Sequence, residues 1–214
     1  MYEHNGIACS LPEGQVCCGA PFLHQGNVDQ FVAEGRKNIR VLADAVRAGN
    51  DVVVPQPTCG YILKKDYVDY IGGVDAELVA SKTRDVAEYL LVINKALSTE
   101  FPGDVPETIT YHAPCHLRAQ NIGLRSRDVM KLTGAKITVV AECSAIDGTW
   151  GLRAENYDMS RKVAKKMADA IETAGGDVVA GDCRLANGGI LQETGREPVH
   201  PLTVMRKAYG LPDD

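Results

Sequence analysis

The sequence predicts an α/β protein with parallel sheets, and three observations predict it. Short apolar strands alternate with amphipathic helices of 12 to 20 residues, the order of elements occurs twice, and cysteines recur at strand exits. Parallel strands need helical crossovers, and ligands of such sheets gather at the carboxyl ends of the strands. The 214 residues, 45% of them hydrophobic and 24% charged, suffice for one large or two small domains.

The elements follow in order. Gly6 to Leu11 reads as a strand, and Cys9 within it, having no counterpart in the second unit, as a core thiol. The cysteine turn Val16-Cys17-Cys18-Gly19 comes next. Asn27 to Asn50 sets Val28, Phe31, Val32, Ile39, Leu42, Ala45 and Val46 on one helical face, with Gly49 at its stop. The apolar run from Asp51 to Pro55 is a buried strand whose end delivers Thr58-Cys59-Gly60. Tyr61, Lys64, Lys65, Tyr67 and Tyr70 read as the flank of an amphipathic helix. Thr83 to Ser98 is a linking helix, and Phe101 to Pro106 a boundary loop.

The order then repeats. Strand Thr108 to His112 ends in Ala113-Pro114-Cys115-His116. An amphipathic stretch from about Asn121 to Leu132 and a strand Lys136 to Val140 follow, then the turn Glu142-Cys143-Ser144-Ala145. Helix Glu155 to Thr173, with Met159, Val163, Met167, Ala170 and Ile171 inward, stops at Gly175-Gly176. Strand Asp177 to Ala180 then exits at Asp182-Cys183-Arg184. Cys17 and Cys59 are 42 residues apart, Cys143 and Cys183 40. The repeat predicts two pseudo-symmetric Rossmann-like units, 1–102 and 103–214. Cys115 precedes Cys143 by 28 residues, and the same step back from Cys17 falls before Met1. The first unit is therefore expected to lack its opening strand, as in an N-terminally shortened chain.

Seven cysteines need a chemical reason, because a reducing compartment disfavours structural disulfides and an odd number leaves one over. Adjacent thiols beside a glycine, with a third thiol about 40 residues on, make a cradle for a soft metal: iron-sulfur cluster, zinc or cuprous ion. Inert buried thiols are the alternative. Direct thiol-disulfide chemistry ranks last, since adjacent cysteines close only a strained ring.

Val-Cys-Cys-Gly-Ala-Pro, Pro-Thr-Cys-Gly, Tyr-His-Ala-Pro-Cys-His and Gly-Asp-Cys-Arg together resemble the cysteine-rich CCG domain found in heterodisulfide reductase. Similar domains occur in the small iron-sulfur subunit of anaerobic glycerol-3-phosphate dehydrogenase and in iron-sulfur subunits of glycolate and lactate oxidation. The resemblance covers essentially the whole chain. It implies an iron-sulfur oxidoreductase or electron-transfer subunit, passing electrons between a flavoprotein dehydrogenase or ferredoxin-type partner and an acceptor. It implies ligands at Cys17, Cys18 and Cys59 in the first unit, and at Cys115, Cys143 and Cys183 in the second. The family's remaining ligand positions hold Ile62, Ser144 and Ala186. Three thiolates per unit could hold a [3Fe-4S] cluster, a [4Fe-4S] cluster with a fourth ligand of another kind, or zinc in one unit. His112, His116 and Asp147 are candidate fourth ligands in the second unit and His24 in the first. The alternative function is a degenerate CCG domain, zinc-bearing or metal-free, with a structural or docking role.

Other features narrow the field. A net charge of −5 argues against nucleic acid as a partner. No apolar run spans a bilayer and no secretory leader is visible, so the expected location is cytoplasmic, or membrane-peripheral through partner subunits. There is no GxGxxG after a strand, no P-loop and no CxxCxxCxxxCP run. Arg118, Arg125, Arg127 and Lys131 read as a solvated helix face and His200 as part of a turn. No catalytic residue is assigned.

Overall fold

A computed structural model describes residues 1–94 and 97–212, with the side chain of residue 94 left out. The chain divides into two compact bodies, Cys9–Val86 and a larger one of Met1–Ala8 with the residues from Ala87 onward.

In the smaller body α1 (Ala20–His24) precedes α2 (Val28–Arg47), which starts where the Asn27 side chain accepts the Gln30 N–H at 3.2 Å. Phe31, Ile39, Leu42 and Val46 are buried as the 3.6-residue period requires, although Val28 is exposed in the first turn. Next come β1 (Val52–Val54) and α3 (Pro57–Tyr61), then a wide helical turn at Ile62–Asp66. The body closes with α4 (Tyr67–Tyr70), α5 (Val74–Lys82) and β2 (Thr83–Asp85). Gly35 lets α2 approach this layer closely, because a Cβ there would lie 2.3 Å from Ile71 Cδ1 and 3.0 Å from a Tyr67 ring carbon.

β2 pairs in parallel with β1, Val52 opposite Thr83 and Val54 opposite Asp85. Two expectations are corrected here. The linking helix does not begin at Thr83: the Thr83 hydroxyl donates to the Val79 carbonyl at 2.8 Å, and its extended backbone ends α5. Helical structure resumes at α6 (Val86–Glu88) and a wide turn at Tyr89–Asn94, and residues 95 and 96 lie outside the described residues. The β1 valines are half-buried instead of buried, since in a two-stranded sheet β1 is itself an edge.

The strand expected over Gly6 to Leu11 is also absent. A helical turn at Glu3–Asn5 closes on Gly6, with φ 73°, and the residues that follow pair with neither sheet. Without a strand to pair with, the segment is irregular, and Cys9 is exposed where a core thiol was expected.

The larger body holds β3 (Thr108–His112), α7 (Cys115–Ala119), α8 (Arg125–Lys131) and β4 (Lys136–Val140). It continues with α9 (Tyr157–Ala174), β5 (Val178–Gly181), α10 (Arg184–Thr194) and α11 (Pro201–Ala208). β3 is central in a parallel sheet of order β4-β3-β5. Alternate residues feed two cores. Ile109, Tyr111 and Ala180 pack with Leu117, Val129, Met130 and Met205, whereas Val140 and Val179 pack with Met167, Ile171 and Ile190. Both faces of the sheet are thus covered, as crossovers of parallel strands require, and each fully buried large side chain contributes roughly 1.5–3 kcal/mol. The fold is α/β.

The inward face of α9 is rotated from the expected one. Met159 and Val163 are exposed, and Ser160, Ala164, Met167, Ala168 and Ile171 are buried. A polar residue takes the inward position because Ser160 Oγ donates to the Ala145 carbonyl at 2.9 Å, tying α9 to the cysteine loop before it. The segment from Phe101 to Pro106 is irregular, as expected, and packs on the end of α11 through the Gly103 N–H and the Ala208 carbonyl at 2.8 Å. No helix among the described residues is long and apolar enough to cross a membrane.

Candidate functional site

In the smaller body, two segments bring three cysteines together. Cys17 and Cys18 lie on the turn before α1, where Gly19 takes φ 85° and a Cβ would meet the Phe31 ring at 2.8 Å. Cys59 lies on α3, just past the end of β1. The Cys18 and Cys59 sulfurs are 3.1 Å apart, a contact too long for a disulfide bond of about 2.05 Å, and Cys17 hydrogen-bonds to Cys18. Contact with Cys59, and then burial, pushes the Cys18 thiol well above its ordinary pKa, which favours its protonated form. A metal bound there would displace that proton.

Two residues that sequence reasoning missed hold this turn. Asn38, buried on α2, accepts the Val16 N–H at 2.8 Å and donates its amide to the Cys17 carbonyl at 3.0 Å and to the Tyr67 hydroxyl at 3.0 Å. The Tyr67 hydroxyl in turn donates to the Cys18 carbonyl at 3.0 Å. Every polar atom of this bridge is used. Asn38 was legible as a polar residue within the apolar stripe of α2. Tyr67, read as a helix flank, is fully buried, whereas Tyr70 is 50% exposed. Tyr67→Phe removes the hydroxyl between two buried partners and is expected to destabilise by about 1–3 kcal/mol in urea unfolding, with Tyr70→Phe within about 0.5 kcal/mol of the parent.

In the larger body the three candidate cysteines follow the ends of the three strands. Cys115 opens α7 and is exposed, with Arg118 Nη2 3.5 Å from its sulfur. Cys143 is exposed after β4, and the Ala145 N–H donates to its sulfur at 3.3 Å. Its loop is strained at two non-glycine residues, Ala145 and Asp147, with φ of 58° and 42°. Gly151 has no room for a Cβ, which would lie 2.2 Å from the Ala145 carbonyl. Cys183 is buried at the start of α10, where its carbonyl accepts the Asn187 N–H at 2.8 Å.

The strand end before Cys183 is anchored by Asp182. Its carboxylate accepts the Tyr111 hydroxyl at 2.6 Å and the Ser126 hydroxyl. Burial pushes its pKa up, and the two hydroxyls partly oppose that shift. His112 Nε2 lies 2.9 Å from the carbonyl of Glu142, the residue before Cys143. His24 and Asp147 are exposed, and His116 is half-buried. His200 Nδ1 accepts the Leu202 N–H and caps α11, the turn role expected of it. Arg125 and Arg127 pair with Asp128 on the face of α8.

Among the described residues, no three His, Cys, Asp or Glu side chains are gathered to hold a single metal ion. A cluster spreads its thiolates over several irons and needs no such single-ion gathering. The soft, all-sulfur donor set of Cys17, Cys18 and Cys59 suits that kind of group.

Fold and site together define a thiol-rich α/β protein in which β1, β3, β4 and β5 each lead into a cysteine-bearing segment. A model of the CCG cysteine-rich domain matches residues 2–64 and again 109–185, and the chain belongs to this family. It is 26% identical to one subunit of the anaerobic glycerol-3-phosphate dehydrogenase of Escherichia coli (strain K12), over 95% of this chain and 52% of that protein. It is 27% identical to an uncharacterized iron-sulfur protein of Methanococcus maripaludis, over 98% of this chain and 38% of that protein. It is 28% identical to one subunit of the fumarate reductase (CoM/CoB) of Methanothermobacter marburgensis, over 96% of this chain and 40% of that protein. The chain spans about half the length of these relatives, or less.

Proposed function

We propose that the chain is an iron-sulfur electron-transfer component of an oxidoreductase, built of two CCG units over residues 1–102 and 103–214. The observation that carries this reading is the contact of Cys18 and Cys59, thiols 41 residues apart, with Cys17 beside them. Relatives named as iron-sulfur proteins and as subunits of a dehydrogenase and a reductase support it. Cys17, Cys18 and Cys59 would hold one group, and Cys115, Cys143 and Cys183 another. When bound, a [4Fe-4S] or [3Fe-4S] cluster supplies the capacity to take up and release single electrons.

The protein's own contribution is positional and electrostatic. Asn38 and Tyr67 fix the backbone at Cys17 and Cys18, Asp182 fixes the strand end at Cys183, and the Ala145 N–H stabilises negative charge on the Cys143 sulfur. The partners proposed are a flavoprotein dehydrogenase or a ferredoxin-domain protein, in the cytoplasm or at a membrane through partner subunits. A second reading is a docking domain bearing zinc or no metal, and the absence of a gathered single-ion ligand set among the described residues favours its metal-free form.

Iron and acid-labile sulfide content, with visible absorption and EPR on protein prepared without oxygen, separates the two. Iron with matching sulfide and a reducible brown chromophore is expected. Zinc alone, or no metal after reconstitution, would leave the docking reading.

A further inference from the structure

His112 is the last residue of the central strand and is 2% exposed. Its register places it opposite Val140 of β4 and Gly181 of β5. Cys115 lies three residues beyond His112, Cys143 three beyond Val140 and Cys183 two beyond Gly181. Of the side chains on the three strands, His112 is therefore the one common to all three cysteine-bearing exits.

The hydrogen bond of His112 determines its tautomer. A carbonyl oxygen only accepts, so Nε2, 2.9 Å from the Glu142 carbonyl, carries the ring proton. Nδ1 is left with a bare lone pair. That atom is buried and has no hydrogen-bond partner among the described residues. Burial lowers the imidazole's pKa, and Arg118 adds to this against the opposing bond to Glu142 and the charge of Asp182, which favours the neutral ring. Leaving a buried acceptor unpaired is costly, and such a group calls for a reason, a bound ion among them.

A neutral imidazole that donates one N–H to a backbone carbonyl and offers the other nitrogen is the arrangement found at metal-ligating histidines. We propose that His112 supplies a nitrogen ligand, through Nδ1, to the metal centre of Cys115, Cys143 and Cys183. This rests on the metal-binding reading above. Coordination by Nδ1 releases no proton, and it brings to four the donors of a unit that has three cysteines. His116 and Asp147 are less buried, so a metal would relieve less desolvation there.

The test uses the chain labelled with 15N-histidine and reconstituted anaerobically with iron and sulfide. Pulsed EPR is expected to show the hyperfine coupling of one directly bound histidine nitrogen. Cys183→Ala, which removes the second-unit signal, should remove that coupling. In His112→Cys the coupling should vanish while second-unit iron is retained through the new sulfur, which separates loss of a ligand from failure to fold. A second-unit cluster without histidine coupling, or a coupling that persists in His112→Cys, overturns the proposal.

If the chain takes up no iron, the iron-sulfur reading fails and this inference is decided with zinc ion alone, followed by 15N NMR. Zinc is then expected to shift the His112 Nδ1 resonance. His112→Ala should weaken second-unit binding by at least the roughly 10–100-fold that loss of an outer-shell partner costs. A Nδ1 resonance unmoved by zinc overturns it.

Discussion

Replacing Cys183 by alanine is expected to strip the second unit of its metal while the first unit keeps its own. Cys183 is buried at the head of α10, directly after the Asp182 anchor, so no neighbouring thiol can take its place without moving β5. Bound metal contributes folding free energy as well as chemistry, so the variant should also lose the stabilisation that metal gives the larger body. Cys9→Ala supplies the control. Cys9 is exposed on an irregular segment, and its loss is expected to leave iron and sulfide per chain unchanged. The measurement is iron and sulfide content on the two variants and the parent, reconstituted side by side without oxygen. Full iron in Cys183→Ala, or iron loss in Cys9→Ala, would reverse the ligand assignment.

Asp182→Ala is expected to cause the largest loss of stability outside the apolar core. Tyr111 and Ser126, both buried, would each lose the carboxylate that accepts its hydroxyl, at about 1–3 kcal/mol apiece. Asp182→Asn keeps one acceptor oxygen and should fall between parent and alanine. Urea unfolding of the metal-free chain, followed through tyrosine signals, reads the effect. A loss below about 0.5 kcal/mol for the alanine variant would show that the two hydroxyls find other partners. The same variant should weaken metal uptake by the second unit, because the Asp182 bonds join the strand end before Cys183 to β3, which leads to Cys115.

The parallel strands were the most legible part of the molecule. Thr108–His112 and Lys136–Val140 form at their expected bounds, because a run of β-branched residues bounded by turns has one good way to bury itself between helices. Thr83–Asp85 was not legible. Thr-Arg-Asp has no apolar pattern, and it is a strand because β1 offers an edge that it can pair. The reverse error, a strand at Gly6 to Leu11, has the same origin: a short apolar segment is a strand only where a sheet has an edge for it. Of the candidate site, Cys17, Cys59, Cys143 and Cys183 stood out by their repeated spacing, and Cys18 and Cys115 by the resemblance. The residues that hold them stood out less, because the burial and bonding of Asn38, Tyr67, Asp182 and His112 depend on neighbours far away in sequence.

By itself the sequence determined the α/β class, the order of most elements and the set of thiols placed after strand ends, since all three follow from local periodicity and spacing. Tertiary structure alone decided which thiols touch, which polar groups brace them, and that one histidine at the meeting of three strand ends keeps a bare buried nitrogen. Those are properties of pairing and burial, and no residue acquires them until strands distant in sequence lie side by side.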